Sequence, residues 1–152
     1  MMKKTALFGV IVIMLSFLFG CAKNAEIKDI ETFSFRYSYG AMSNAYVVYT
    51  LTNEDGSYTA TIKPKGAPEE EKLEFEVDES FAKELEAFLA ENEVGRWNGF
   101  QKSNKTAADG KSFSLYITMA DGSEVDARGY MKWPKNYNAV SAGITEIFEK
   151  LQ

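Results

Sequence analysis

The chain has 152 residues, 45% of them hydrophobic and 26% charged, and its 22 Asp and Glu outnumber 17 Lys and Arg for a net charge of −5. That balance excludes a disordered, collagen-like or disulfide-stapled protein, and its acidity leaves nucleic acid outside the expected partners. Histidine is absent and Cys21 is the one cysteine, which excludes histidine-based acid–base catalysis, Cys–His nucleophiles, Cys/His zinc sites and internal disulfides together.

Lys3 and Lys4 precede an apolar run from Ala6 to Phe19. This is the charged region and hydrophobic region of a secretory signal, too short for a comfortable membrane-spanning helix. The run ends Leu18-Phe19-Gly20-Cys21, which resembles the lipobox of bacterial lipoproteins, where a small residue precedes a cysteine that becomes the new N-terminus. The resemblance implies that residues 1–20 are removed, that Cys21 is lipidated on sulfur and can be acylated on its new amine, and that the protein sits in the cell envelope. The lipid would tie it to the outer or plasma membrane, exposed outside the cytoplasm. Each buried CH₂ contributes about 0.8 kcal/mol, so one acyl chain binds marginally and two or more hold stably. An ordinary signal peptide or a short transmembrane anchor is the alternative. Beyond the signal, Ala22 to Ile30 is short and polar and reads as a tether, leaving residues 31–152 as one domain.

Alternation begins with Phe33, Phe35, Tyr37 and Tyr39 against Ser34, Arg36 and Ser38, the period of a strand rich in aromatic residues. This stripe is read as core or second-face packing rather than a binding platform. A turn is expected at Gly40 to Asn44, then strands at Tyr46 to Thr52 and Ser57 to Lys63 joined by a three-residue loop, Glu54-Asp55-Gly56. Leu73, Phe75 and Val77 alternate with Glu74 and Glu76 in a strand with an acidic face. Asp78 can cap the helix that follows, in which Phe81, Leu85, Phe88 and Leu89 form a stripe and after which Gly95 is placed as the terminator.

The next hairpin joins Phe113–Met119 to Ser123–Tyr130. A loop of Ala120-Asp121-Gly122 pairs Ile117 with Val125, Leu115 with Ala127 and Phe113 with Gly129, whereas a two-residue loop would mix core and solvent on one face. A second helix carries Val140, Ile144, Ile147, Phe148 and Leu151. The order ββββαββα predicts an α+β domain, an antiparallel sheet of about six strands with both helices packed on one face.

Several motifs are weighed and set aside. Ser80-Phe81-Ala82-Lys83 satisfies the Ser-x-x-Lys pattern of penicillin-binding enzymes, but the companion motifs are missing. Asn53-Glu54-Asp55-Gly56 starts like a calcium loop, yet the position of the bidentate Glu carries no glutamate. The run from Glu69 to Glu93 holds eleven acidic residues and two lysines and reads as a solvated face. No metal site, cofactor or catalytic residue is expected, although a carboxylate-dependent hydrolase needs no histidine.

The open end of the second hairpin carries the candidate site. The loops Gly95–Lys105 and Tyr130–Asn138 must lie at one end of the sheet, which brings Trp97, Trp133, Tyr137, Lys102, Lys132 and Lys135 together. Aromatic plates with amide and cationic donors suit a glycan or peptide ligand. Alternatively, Trp97 and Phe100 plug the end of the sheet, which is the preferred reading for those two, while Trp133 is open between plug and exposed platform.

The Trp97-Asn98-Gly99-Phe100 loop, the hairpin and the run Gly129-Tyr130-Met131-Lys132-Trp133-Pro134-Lys135-Asn136-Tyr137 resemble small uncharacterised lipoprotein domains of anaerobic bacteria. That resemblance implies no activity. The expected function is therefore a non-enzymatic, lipid-anchored module that binds a glycan, a peptide or an envelope protein. The alternative is an assembly lipoprotein docking through its aromatic strand.

Overall fold

A computed structural model describes residues 24–40 and 46–152. The signal segment, Cys21 and most of the turn expected at Gly40 to Asn44 lie outside the described residues. The fold is α+β, with strands β1 (Ile30–Ser38), β2 (Tyr46–Glu54), β3 (Ser57–Lys63) and β4 (Leu73–Val77), helix α1 (Glu79–Glu91), strands β5 (Gln101–Ser103), β6 (Ser112–Met119) and β7 (Glu124–Tyr130), and helix α2 (Tyr137–Glu149). The strands form one sheet in the order β4-β3-β2-β1-β6-β7-β5.

The sheet is mixed and seven-stranded, where about six antiparallel strands were expected. The extra strand is β5, which pairs parallel to β7 with Gln101 opposite Arg128 and Ser103 opposite Tyr130. Its residues are polar and exposed, so no alternation marks it. Backbone bonds hold it: Arg128 N–H donates to Phe100 O at 2.7 Å and Asn104 N–H to Tyr130 O at 2.8 Å.

The core lies on one face of the sheet, where Phe33 and Phe35 of β1, Tyr49 and Leu51 of β2, Leu115 and Ile117 of β6 and Val125 and Ala127 of β7 are buried. Each fully buried side chain of this size contributes about 2 to 3 kcal/mol over its exposed state. Both helices supply residues to that same cluster, Phe81, Leu85 and Leu89 from α1 and Val140, Ile144 and Phe148 from α2. Phe148 stacks on Phe33 with ring centres 6.0 Å apart, meets Tyr49 at 5.0 Å and takes Phe81 edge-on at 5.3 Å.

Register follows the inward residues. Ile117 pairs with Val125, Leu115 with Ala127 and Phe113 with Gly129, as the three-residue loop requires, and Gly122 takes φ +80° in that loop. The first hairpin differs from expectation. Glu54 pairs with Ser57, leaving a two-residue loop with Asp55 at φ 52° and Gly56 at φ 89°. This register sets Leu51 opposite Ala60, whereas a three-residue loop would set it opposite Thr59 and break the core face.

Asp78 caps α1 by accepting the Phe81 N–H at 3.2 Å. Gly95 does not terminate that helix. The helix ends at Glu91, Asn92 donates its side-chain amide to Phe88 O at 2.9 Å, and Gly95 lies buried in a short 3-10 turn, Val94–Trp97. There it lets the chain before β1 approach. Ala25 N–H donates to Gly95 O at 3.3 Å, and a Cβ on Gly95 would come within 1.9 Å of Ala25 O.

Residues Ala22 to Ile30, expected as a free tether, are therefore docked from Ala25 onward, with Ile27 buried in the core and Ile30 opening β1. A bulge between Ile30 and Thr32 turns Ile30 inward. The buried Glu86 of α1 accepts the Ile30 N–H at 2.8 Å, and Lys83 bridges Glu86 at 3.0 Å and Asp29 at 2.9 Å.

The opposite face of the sheet is polar, floored by Thr32, Thr118, Thr50 and Thr61, whose hydroxyls pair across the strands. Lys63 is the exception, buried with its Nζ 3.8 Å from the centre of the Tyr46 ring and without a hydrogen-bond acceptor among the described residues. Arg36 meets the same ring at 3.8 Å.

Candidate functional site

The end of the sheet where β1 stops, β6 begins and β7 runs into α2 gathers most of the aromatic residues singled out above. Phe113, directly opposite Gly129, is their hub. Tyr137 at the start of α2 lies 4.8 Å from it, Trp97 meets it edge-on at 5.9 Å, Phe100 at 6.1 Å and Trp133 at 5.7 Å. Trp133 also stacks on Tyr137, ring centres 4.6 Å apart and planes 29° apart.

Trp97 is the plug. It is 4% exposed, and its Nε1–H donates to Lys135 O at 3.2 Å. Phe100 is half-buried beside it, with Lys102 Nζ 5.3 Å from its ring centre. Trp133 is different: 38% of it is exposed, which in a large aromatic residue backed by Tyr137 leaves much of an indole facing solvent.

The loop that delivers Trp133 is bent at both ends by left-handed residues, Met131 at φ 52° and Asn136 at φ 63°. Met131 N–H donates to Lys111 O at 2.9 Å, and Lys132 O packs where a side chain on Gly129 would stand, 2.1 Å from an ideal Cβ there. Glycine at 129 is thus what allows the loop to fold back and lay Trp133 on the cluster.

Trp133 forms a wall between two clefts. One, of about 290 Å³, is lined by Arg96, Trp97, Phe100, Lys102 and Lys135 and contains a carboxylate, Glu93, that is held by Arg96 at 3.0 Å. The other, of about 300 Å³, is lined by Tyr37, Tyr39, Tyr137, Lys111 and a set of small polar side chains, Ser38, Ser112, Asn138 and Ser141. Of the six residues expected to converge, Trp97, Lys102 and Lys135 line the first cleft, Tyr137 lines the second and Trp133 lines both. Lys132 is exposed and lines neither.

The second cleft was not legible as such. Tyr37 and Tyr39 belong to the stripe read as packing, and for Phe33 and Phe35 that holds, but the stripe outruns its cover: Tyr37 is half-buried and Tyr39 is 46% exposed. Burial pushes the Tyr137 hydroxyl up to about 12 and raises Tyr37, while Tyr39 is raised chiefly by its hydrogen bond to Tyr37. All three are neutral at physiological pH and can both donate and accept.

The other motifs resolve into structural contacts. Ser80 Oγ donates to the cap residue Asp78 at 2.5 Å and Lys83 is held by two carboxylates, so no amine activates that hydroxyl. Asn53 Oδ1 accepts the Gly56 N–H at 2.8 Å within its turn. The acidic side chains of the run from Glu69 to Glu93 are exposed, except that of Glu86, which is buried. Among the described residues no group of three or more acidic side chains is placed to hold a metal ion, and no helix is long and apolar enough to cross a membrane. Comparison of the chain with models of known protein families and with curated proteins gave no match.

Proposed function

We propose that the chain is a lipoprotein of the bacterial envelope, held to the outer or plasma membrane through lipid on Cys21, whose folded domain binds a ligand without transforming it at the end bearing Trp133. The observation that carries the binding reading is the exposure of Trp133 at 38%, stacked on Tyr137 and shared by two clefts. Burying an indole that already stands on a rigid partner costs a ligand little ordering entropy and yields a large contact. The reading as a binder rather than an enzyme is supported by the chemistry of the clefts, where the carboxylate present is ion-paired to Arg96 and histidine is absent from the chain.

The anchor reading rests on the lipobox and fits where the chain emerges. Asn24 and Ala25 lie beside Ala90, Glu93 and Gly95, so the three residues from Ala22 to Asn24 would span at most about 10 Å when extended. Such a short leash keeps the domain close to the membrane.

The alternative is docking through the aromatic strand by edge or face pairing, and its edge form lacks an edge, because β1 is paired on both sides, to β2 and to β6.

The full-length protein in detergent micelles, titrated with glycans, peptidoglycan fragments and peptides while tryptophan emission is followed, tests the binding reading. A saturable change that disappears in Trp133→Ala, with the melting temperature within a few degrees of wild type, is the expected result. Emission indifferent to every ligand would overturn it. Incorporation of labelled fatty acid that is lost in Cys21→Ser tests the anchor.

A further inference from the structure

Resting on that reading of the Trp133 end, we infer that the ligand is an acidic sugar and that it occupies the cleft on the Tyr39 side of Trp133.

The two clefts differ in kind. The one on the Lys102 side contains Glu93 and Arg96, which satisfy each other at 3.0 Å, and Trp97, whose indole N–H is already bonded to Lys135 O. Lys102 and Lys135 also line it without a salt-bridge partner among the described residues, but they share it with the Glu93 carboxylate. The cleft on the Tyr39 side has aromatic walls from Trp133, Tyr37 and Tyr39, with Ser112 and Asn138 among its polar lining. Hydroxyls and amides of this sort donate and accept at once, as a sugar hydroxyl does, and the aromatic faces suit the C–H face of a pyranose ring.

Its charge is the second observation. The chain is acidic, with 22 Asp and Glu, yet among the described residues no carboxylate lines this cleft, and the charged residue that does is Lys111. Beside it, Lys65 lies 4.3 Å from the centre of the Tyr39 ring. Neither lysine has a salt-bridge partner among the described residues. A cleft without acid in an acidic protein, rimmed by two uncompensated cations, is complementary to a carboxylate.

A peptide fits less well. Peptides that bind beside a sheet commonly add a strand to a free edge, but β1 and β6, which bring Tyr37, Tyr39 and Ser112 to the cleft, are each paired on both sides, and the free edges belong to β4 and β5.

The experiment uses the full-length protein in micelles with glucuronate, N-acetylneuraminate and N-acetylmuramate as probes and with glucose, N-acetylglucosamine and acetate as controls. At least one acidic sugar should saturate the tryptophan signal, with the matched neutral sugar and acetate alone each weaker by tenfold or more. Lys111→Gln, an exposed change, should weaken the acidic sugar about tenfold, and Lys102→Gln in the other cleft should leave it unchanged. Far-UV circular dichroism and the melting temperature show that each variant is folded. Equal binding of neutral and acidic sugars, loss in Lys102→Gln instead of Lys111→Gln, or saturation by peptides alone would overturn the inference while the Trp133 binding reading stands. No response to any ligand class would overturn both.

Discussion

Gly129→Ala tests the packing that builds the candidate site. An ideal Cβ at this position would lie 2.1 Å from Lys132 O and 2.5 Å from Cε1 of Phe113, and contact tighter than 3.4 Å is already unusual. The methyl would therefore stand about 1.3 Å too close to a backbone oxygen and about 0.9 Å too close to a ring that is 3% exposed. Neither neighbour yields cheaply, since the oxygen belongs to the loop carrying Trp133 and the ring is wedged among Trp97, Phe100, Tyr137 and Trp133. The upper end of the overpacking range, about 3 kcal/mol, is the expected cost, or a fall of about 10 °C in melting temperature for a domain of this size. Gly122→Ala is the comparison. That glycine has φ +80° with nothing within 4 Å of its Cβ, so it tests left-handed strain alone, about 1 to 2 kcal/mol. Thermal unfolding followed by circular dichroism and by tryptophan emission separates the two. Gly129→Ala should melt lower than Gly122→Ala and alone should alter native-state emission. A Gly129→Ala protein melting within 2 °C of wild type would refute the argument that this glycine seats the loop.

Glu86→Ala strands the Ile30 N–H and deprives Lys83 of one of its two carboxylates, so urea unfolding should show a loss of about 3 kcal/mol, while Glu86→Gln, which keeps an acceptor, should lose about 1; equal losses would sink the hydrogen-bond argument. Lys63→Met replaces a buried ammonium that has no hydrogen-bond partner among the described residues and rests on the Tyr46 ring, and its stability in urea should equal or exceed wild type, a loss above about 1 kcal/mol being the contrary result. The raised Tyr137 hydroxyl gives a pH dependence of defined sign. Because burial lifts it from 10.0 to about 12 in the folded state, the neutral form contributes stability that is complete below pH 10 and is lost as pH rises toward 12, so the urea midpoint should fall across that interval and fall less steeply in Tyr137→Phe. An unchanged slope in the variant would assign the effect elsewhere.

How much of this fold could be read from sequence depended on whether a residue's partner was fixed by a face. The register of β6 and β7 was legible because Ile117, Leu115 and Phe113 can meet apolar or small partners in one alignment only. The same test applied to Leu51 and Ala60 gives the two-residue loop of the first hairpin, and the Asp-Gly-Ser tripeptide shared by both turns does not by itself choose between them. Where backbone rather than side chains does the pairing, the signal vanishes. The strand β5 is three exposed polar residues, and nothing in Gln101-Lys102-Ser103 distinguishes it from loop. Gly95 carried the signature of a helix terminator, but its smallness serves an approach by Ala25, seventy positions away in sequence, which no local pattern records.

The site illustrates the same division. That Trp97, Trp133, Tyr137, Lys102 and Lys135 share one end of the sheet follows from hairpin connectivity, and they do. Which side of Trp133 a residue falls on is decided by two left-handed residues, Met131 and Asn136. Asparagine takes that conformation readily, but in methionine it costs on the order of 1 kcal/mol, so tertiary contacts must hold it. Those contacts are visible: Met131 N–H bonds Lys111 O, and Lys132 O rests over Gly129. They fold the loop so that Trp133 stands on Tyr137, with Lys111 rather than Lys132 supplying the cation on the Tyr39 side. Local strain held in place by packing at an exposed aromatic residue is what pre-organisation for a ligand requires, because the ordering cost is met in folding rather than in binding.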